Sequence, residues 1–536
     1  MPYPTLHAMH RQRLNTLLCI LVALLSFLPL SAASATTQSA TPSPSASPVA
    51  DDPLYAAVKA DERAAVQAET AGELSTYTIA AELRLPASGQ PPQIVGTIAL
   101  DYRNTTGDAL AELPFRLFAN GRDEASGVAI TEARVAGAAV EPALREADTI
   151  ATLPFAAPLA PEATVRIDLA FTSTVPLSNE SSYGIYNVDP ESGTWSLAYW
   201  YPVVAGFDPA TGFLLDPTSR NGDPIFSSTS LYDVTLTAPS GWQTVTTGVA
   251  VEETDDGRSV TRRFVSGPVR DFTIVADADF VSATQEVDGT TITAWFDPGD
   301  ERTGEAVANY GAQALDLFND LFGGYPYVEL DITANQLYGA AGVEFPQLIY
   351  IAASYYEPNR TFSVPNGLDF TIAHEVAHQW WYGLVGNNQY QHAFIDEGLT
   401  QWVSCAVYFD RVYDAEASDR ATANYLIDPF ETAVRIGADQ VVDTPTDDFG
   451  REGDYVFAVY SKAPLGFAAI HQTIGDEAFF AALSDYYAAF RFGVAQPDDL
   501  LAAFEAASGQ ELDELWRHWF EAAEGEDDLD ALPHLP

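Results

Sequence analysis

The sequence is poor in cysteine, in lysine and in long apolar runs, and each scarcity excludes something. Of its 536 residues 2 are Cys. Cys19 lies in an N-terminal apolar stretch and Cys405 far downstream, so a chain exported without that stretch has no intramolecular disulfide and takes its stability from its cores. Lys59 and Lys462 are the lysines, and 25 Lys and Arg against 75 Asp and Glu leave a net charge of −50. Such a field repels polyphosphate and anionic lipid, which excludes nucleic acid as the main partner. Beyond residue 30 no run is long and apolar enough to span a bilayer. Apolar residues nevertheless make up 47 % and aromatics 12 % of the chain, far above what a disordered polymer carries. A globular protein of two or three domains follows from the length.

Residues 1–35 read as a signal peptide: Arg11 and Arg13, the apolar stretch Leu14 to Leu30, then Ala33-Ser34-Ala35. This predicts a secreted or extracytoplasmic protein, tethered to a membrane only where the leader is retained. Residues 36–69 begin as a Ser/Thr/Pro-rich linker. From 70 to 297 the pattern has period two, as in Val165, Ile167, Leu169 and Phe171, with the Asp288-Gly289 pair predicting a tight hairpin before Ile292 and Trp295. That spacing predicts an antiparallel β saddle or sandwich. Near 302 the period changes: Val307, Tyr310, Ala314, Leu317, Phe318 and Leu321 share one helical face that stops at Gly323-Gly324 and Pro326. A strand-like run follows at Leu330 to Leu337, then helices at about 368–384, 396–413, 455–473 and 476–491. A second, mainly helical domain is expected over 298–525, and 526–536 reads as an acidic tail. The fold class is α+β.

The segment Asp369 to Leu384 reads DFTIAHEVAHQWWYGL, which puts His374 and His378 four residues apart on one helical face. Two imidazoles so placed can share a metal ion, and Glu375 stands beside them to take a proton from water. At this composition HExxH arises by chance roughly 0.007 times per chain. Glu397 follows His378 after 18 intervening residues, lowering that figure by a further factor of ~0.06 and completing three protein ligands with a fourth position open. Two imidazoles and a carboxylate, without thiolate, suit one Zn²⁺ ion.

With these residues in view the sequence resembles the M1 family of zinc aminopeptidases, whose pattern is HExxH, 18 residues, then Glu. The resemblance implies zinc ligands at His374, His378 and Glu397 with Glu375 as general base. The family's Gly-x-Met-Glu-Asn strand, whose Glu binds the substrate's free amine, is matched by Ala341-Gly342-Val343-Glu344-Phe345. Glu344 is kept, while Ala341, Val343 and Phe345 depart. The family's Tyr-x-Lys-Gly setting, whose Tyr supports the oxyanion, is matched by Tyr460-Ser461-Lys462-Ala463, with Tyr455 a nearby competitor. Looser marks are 102–120, GPVRDF (267–272), FGGYPY (322–327) and 508–520. The resemblance implies a saddle-like β domain followed by a thermolysin-like catalytic domain. The large helical domain with which many relatives cap the cleft has no counterpart in this sequence, so a wider cleft is expected. An amine-binding residue from the β domain is sought in Trp195 to Pro202.

The implied function is hydrolysis of N-terminal residues from peptides. A zinc endopeptidase with an uncapped cleft, and a secreted binding protein that lost catalysis, are the competing readings. Oligomeric state and substrate side-chain preference are not legible. His392 in the loop before Glu397, His471 and His518, Cys405 and the Trp380-Trp381 pair read as packing or surface residues. Asn104, Asn179 and Asn359 fit the N-x-[ST] pattern.

Overall fold

Alternating burial builds the first half of the molecule. In the computed structural model, which describes residues 52–529 except 87–89, 122–124, 178–181, 220, 224, 357–361, 526 and 528, strand Thr164–Thr174 buries Ile167, Leu169 and Phe171 on one face. The expected signal peptide at 1–35, the linker residues 36–51, the end of the tail at 530–536, Asn179 and Asn359 lie outside the described residues. Strand Thr164–Thr174 belongs to an eight-stranded sheet in the order 249–255, 259–269, 230–239, 75–84, 93–103, 164–174, 127–135 and 138–139. One pairing departs from the expected antiparallel pattern: Ser75–Arg84 runs parallel to Ser230–Pro239, with Ile79 beside Val234. Period two reports which face is buried and carries no information on strand direction. Two four-stranded sheets, around 186–197 and 110–116, pack on this layer.

The Asp288-Gly289 hairpin forms as expected, pairing Val287 with Thr290, with φ of 47° and 77° at its two central residues, as a type I′ turn requires. Its second strand, Thr290–Phe296, then pairs in parallel with Glu329–Asn335, and that strand with Leu348–Ala352. The outer edge of this sheet is the two-residue strand Gly342–Val343, so Glu344 leaves the sheet beside the metal-binding helix. The described residues form one compact unit.

Helix Glu301–Phe322 packs on this sheet through Val307, Ala308, Gly311, Ala314, Leu315 and Phe318. Tyr310, Leu317 and Leu321 of the expected face are only half-buried. The helix is rolled toward its small residues, which let it approach Ile292 and Ile332 closely. The remaining helices include 394–412 and 452–474, each continuous and containing wide i→i+5 turns, then Asp476–Phe490, Pro497–Ser508 and Asp513–Phe520. Among the described residues no helix is long and apolar enough to cross a membrane. Asn104 is fully buried, its amide donating to the carbonyls of Asp108 and Leu159, so its N-x-[ST] pattern is structural.

A buried arginine ties the layers together. Arg270 is fully buried and donates to four backbone carbonyls: Tyr382 at 2.6 Å, Ser227 at 3.2 Å, Leu384 at 3.4 Å, and Gly493. Its guanidinium lies where a side chain at 386 would stand, the place Gly386 leaves open. Tyr382 sits at φ 124°, a conformation that costs on the order of 1–3 kcal/mol for a non-glycine residue. Its carbonyl is held by Arg270 and its hydroxyl donates to Asp271 at 2.5 Å. Arg270→Lys, with three donors for four carbonyls, is expected to cost about 2 kcal/mol or more. Chemical denaturation reads this as a lowered midpoint, and an unchanged midpoint would mean that the carbonyls find other donors.

Candidate metal centre

The helix carrying the histidines starts where Asn366 accepts from the backbone of Asp369 at 3.0 Å, a side-chain N-cap. Asp369 is itself buried and accepts from Tyr408 at 2.7 Å and Tyr413 at 2.6 Å, which pins the helix to the 394–412 run. Burial pushes the Asp369 carboxyl up to about 6 against those two hydrogen bonds. The regular helix ends at Ala377, earlier than the 384 expected. The chain then turns through the strained Tyr382, which brings the Trp381 carbonyl 2.9 Å from His378 Nδ1. That contact assigns the proton to Nδ1 and leaves the Nε2 lone pair for a metal.

His374 Nε2 and His378 Nε2 stand 3.1 Å apart, and Glu397 Oε2 is 3.2 Å from each. Ligand atoms bound to zinc at tetrahedral angles lie about 3.3–3.5 Å from one another, so the three converge to within a few tenths of an ångström of the spacing that one such ion requires. Glu397 arrives from the wide turn Phe394–Gly398. Tyr460 sits in a second such turn, Ala458–Lys462, and donates its hydroxyl to Glu397 Oε1. Wide turns of this kind recur at functional sites because they redirect a side chain without ending the helix. Tyr455 hydrogen-bonds to none of the three ligands; it packs edge-on against Tyr460 at 5.8 Å. Lys462 anchors the Tyr460 turn, donating to Asp439 at 3.0 Å and to the Ala522 carbonyl at 2.7 Å.

The donor set carries surplus negative charge. Burial pushes Glu375 and Glu344 each up to about 8, with His378 opposing the rise and neighbouring carboxylates adding to it. Asp223 is raised well above the usual carboxylate range by desolvation and by Glu344 and Glu397. Burial also disfavours ionisation of Glu397, yet His378 and His374 outweigh it and hold that carboxyl far below its ordinary value. Burial disfavours the charged form of His378 as well, but Glu344 and Glu397 reverse the balance and raise it. A doubly charged cation offsets part of the negative charge of the four carboxylates, and two imidazole nitrogens with one carboxylate oxygen are a donor set that fits zinc.

Glu375 lies against Gly342. A Cβ there would stand 2.4 Å from its carboxylate oxygen, so glycine in the edge strand is what lets the carboxylate occupy its place. Glu344 is 6 % exposed, and its Oε1 has no hydrogen-bond partner among the described residues. Both line a cleft of about 440 Å³ that also holds the triad and Tyr460.

The β region contributes Tyr183, Ile185, Asn221, Gly222 and Asp223 to that cleft. One carboxylate oxygen each of Asp223, Glu344 and Glu397 lies within 4.8 Å of the others, and Gln389 donates to Asp223. This corrects the expectation that Trp195 to Pro202 supplies the β-side group. Those residues are buried, and Tyr199 packs edge-on against Phe345 at 5.9 Å. Phe345 is therefore a core residue, 2 % exposed and also packed edge-on to Tyr350. The Asn-Gly-Asp-Pro sequence at 221–224 was the available signal for Asp223, and it reads as an ordinary turn motif. His392 pairs with Asp443 at 2.6 Å outside the cleft, and Trp380, Trp381 and Cys405 are buried packing residues.

Residues 307–519 match the peptidase family M1 domain. The chain is 25 % identical to Aminopeptidase M1-B of Oryza sativa subsp. japonica over 302 residues, which is 54 % of this chain and 34 % of that protein. It is 26 % identical to the Alanine/arginine aminopeptidase of Saccharomyces cerevisiae over 258 residues, 46 % and 29 % of the two chains. The match thus spans about a third of the length of these relatives. In fold the chain is similar to an M1 zinc metallopeptidase from Deinococcus radiodurans, with TM-score 0.63, 18 % identity and coverage of 86 % of this chain and 95 % of that one. A variant of that protein bound to Tyr-Ser-Ala gives TM-score 0.61 at 18 % identity and the same coverage.

Equilibrium dialysis is expected to leave one tightly held zinc per chain, lost in His374→Ala and in His378→Ala but retained in Glu344→Gln. Retention by both histidine variants would place the ion elsewhere.

Proposed function

The chain carries a peptidase family M1 domain and is a member of that family, and from that premise we propose that it is a zinc aminopeptidase releasing N-terminal residues from peptides. The observation that carries the reading is the pair of acids, Glu344 and Asp223, standing beside the Glu397 of the triad in one cleft. An ammonium group offers three donors, and carboxylates are its strongest acceptors. A substrate amine held there leaves the first peptide bond at the metal centre, and anchoring of that kind converts binding into orientation.

His374, His378 and Glu397 would hold the zinc ion, which would supply Lewis acidity toward the scissile carbonyl and toward water. Glu375, beside His374 on the same helix and lining the cleft, takes the proton of the attacking water and returns it to the leaving amine. Tyr460 stays a neutral donor, since burial and the nearby Glu397 keep its hydroxyl protonated. In the reaction it shifts from Glu397 to the developing oxyanion, a contribution of about 3–4 kcal/mol for a preorganised donor. The arginine-led apolar stretch at 14–30 supports action outside the cytoplasm, which N-terminal sequencing of the mature protein tests: an N-terminus preserved upstream of residue 30 on a cytoplasmic protein would contradict it.

Glu375→Gln should keep zinc and lose turnover by orders of magnitude, with Tyr460→Phe losing about 100- to 1,000-fold. Near-normal turnover in Glu375→Gln would remove the general base. Gly342→Ala should keep zinc and lower kcat, because the added methyl displaces Glu375; full activity would show that the carboxylate tolerates the shift. For specificity, mass spectrometry of one unstructured peptide, free and N-acetylated, with and without chelator, decides the matter. Stepwise loss of single residues, blocked by acetylation and by chelation, is expected. Internal cuts in both peptides would instead make the protein an endopeptidase.

A further inference from the structure

The cleft is chemically polarised along the metal-binding helix. At the His378 end stand the acids: Gln379, the residue after His378, donates to the carbonyl of Phe345, the residue after Glu344, at 3.2 Å, and one carboxylate oxygen each of Glu344, Asp223 and Glu397 lies within 4.8 Å of the others. At the other end, one turn before His374, stands Phe370, its ring 6.0 Å from the His374 ring. Tyr425 lies flat against Phe370, with centroids 4.4 Å apart and an interplanar angle of 9°. Both rings are half-buried and line the cleft, with Pro429 beside them. Tyr425 comes from a third wide helical turn, Ala423–Ile427, the same device that delivers Glu397 and Tyr460. The carboxylate nearest this end in sequence, Asp369, is buried and spent on Tyr408 and Tyr413, so the shelf presents aromatic carbon.

We propose that the Phe370–Tyr425 stack is the subsite for the side chain immediately behind the scissile bond, and that it selects peptides whose second residue is aromatic or large and aliphatic. The proposal rests on the amine being held by Glu344 and Asp223. With the amine at the acidic end and the first peptide bond at the triad, the leaving portion runs past His374 onto the shelf. There its side chain exchanges water for two stacked ring systems. The first side chain is received by other walls, so the two preferences are separable.

The test uses the zinc-loaded full chain and two tripeptide series, Ala-Xaa-Gly and Xaa-Gly-Gly. The kcat/KM for Ala-Phe-Gly and Ala-Leu-Gly should exceed that for Ala-Gly-Gly and Ala-Asp-Gly by about tenfold or more, the scale at which apolar pockets discriminate. In Phe370→Ala and Tyr425→Ala that ratio should fall to within about threefold, while the rank order in Xaa-Gly-Gly stays as in the unmodified enzyme. Tyr425→Phe keeps the stack and should keep the ratio. Where an alanine variant fails to fold, Phe370→Leu and Tyr425→Leu retain bulk without the stacked ring, and bound zinc reports their integrity. A flat response to the second residue in the unmodified enzyme, a ratio that survives both substitutions, or a change confined to the first-residue series overturns the proposal. Product masses keep the two readings apart. Internal cuts would sink the amine anchor, and the shelf would then be judged on the residue following each cut.

Discussion

Everything at this site depends on one electrostatic constraint: four carboxylates, Asp223, Glu344, Glu375 and Glu397, crowd two imidazoles in a desolvated cleft. Desolvation pushes three of the four acids toward their neutral forms, and only cations restore their charge at little cost. On the proposed reading, a metal ion on one side and a substrate ammonium on the other would together offset that charge. A free substrate amine would therefore add positive charge where the metal leaves negative charge uncompensated, and a blocked amine would add none. The same constraint gives the cleft its direction, acidic at the His378 end and aromatic at the His374 end.

Holding like charges together requires rigid supports, and the fold supplies them from distant segments. Arg270 gathers carbonyls from Ser227, Tyr382, Leu384 and Gly493. It thereby joins the β region, close in sequence to Asp223, to the turn that orients His378. The strain at Tyr382 is sustained by that arginine and by Asp271. Asn388 and Gln389, in the loop leading to Glu397, reach back to Asp208 and Asp223. The β region is thus part of the site's frame as well as of its lining.

What the sequence disclosed follows from which relations are local. His374, Glu375 and His378 were legible because helical geometry places residues four apart on one face. Glu397 was legible through its spacing from them, and the hairpin at Asp288-Gly289 through its turn chemistry. Glu344 and Tyr460 rested on resemblance to a family pattern, and the structure brings both into the cleft. Asp223 was missed because its proximity to Glu344 is created by packing of loop segments far apart in the sequence. Phe345, a departure from the family pattern, proves to be packed beneath Tyr199, where its chemistry does not meet the cleft. The rolled face of helix Glu301–Phe322 was missed because periodicity counts apolar residues, whereas close packing on a sheet favours small ones.

The most direct measurement is a crystal structure of the zinc-loaded Glu375→Gln variant with an unblocked tripeptide bound. The account predicts the peptide ammonium within hydrogen-bond distance of both Glu344 and Asp223, and the first carbonyl facing the triad and Tyr460. An ammonium seated away from both carboxylates, or a peptide crossing the triad with its amine at the Phe370 end, would contradict it.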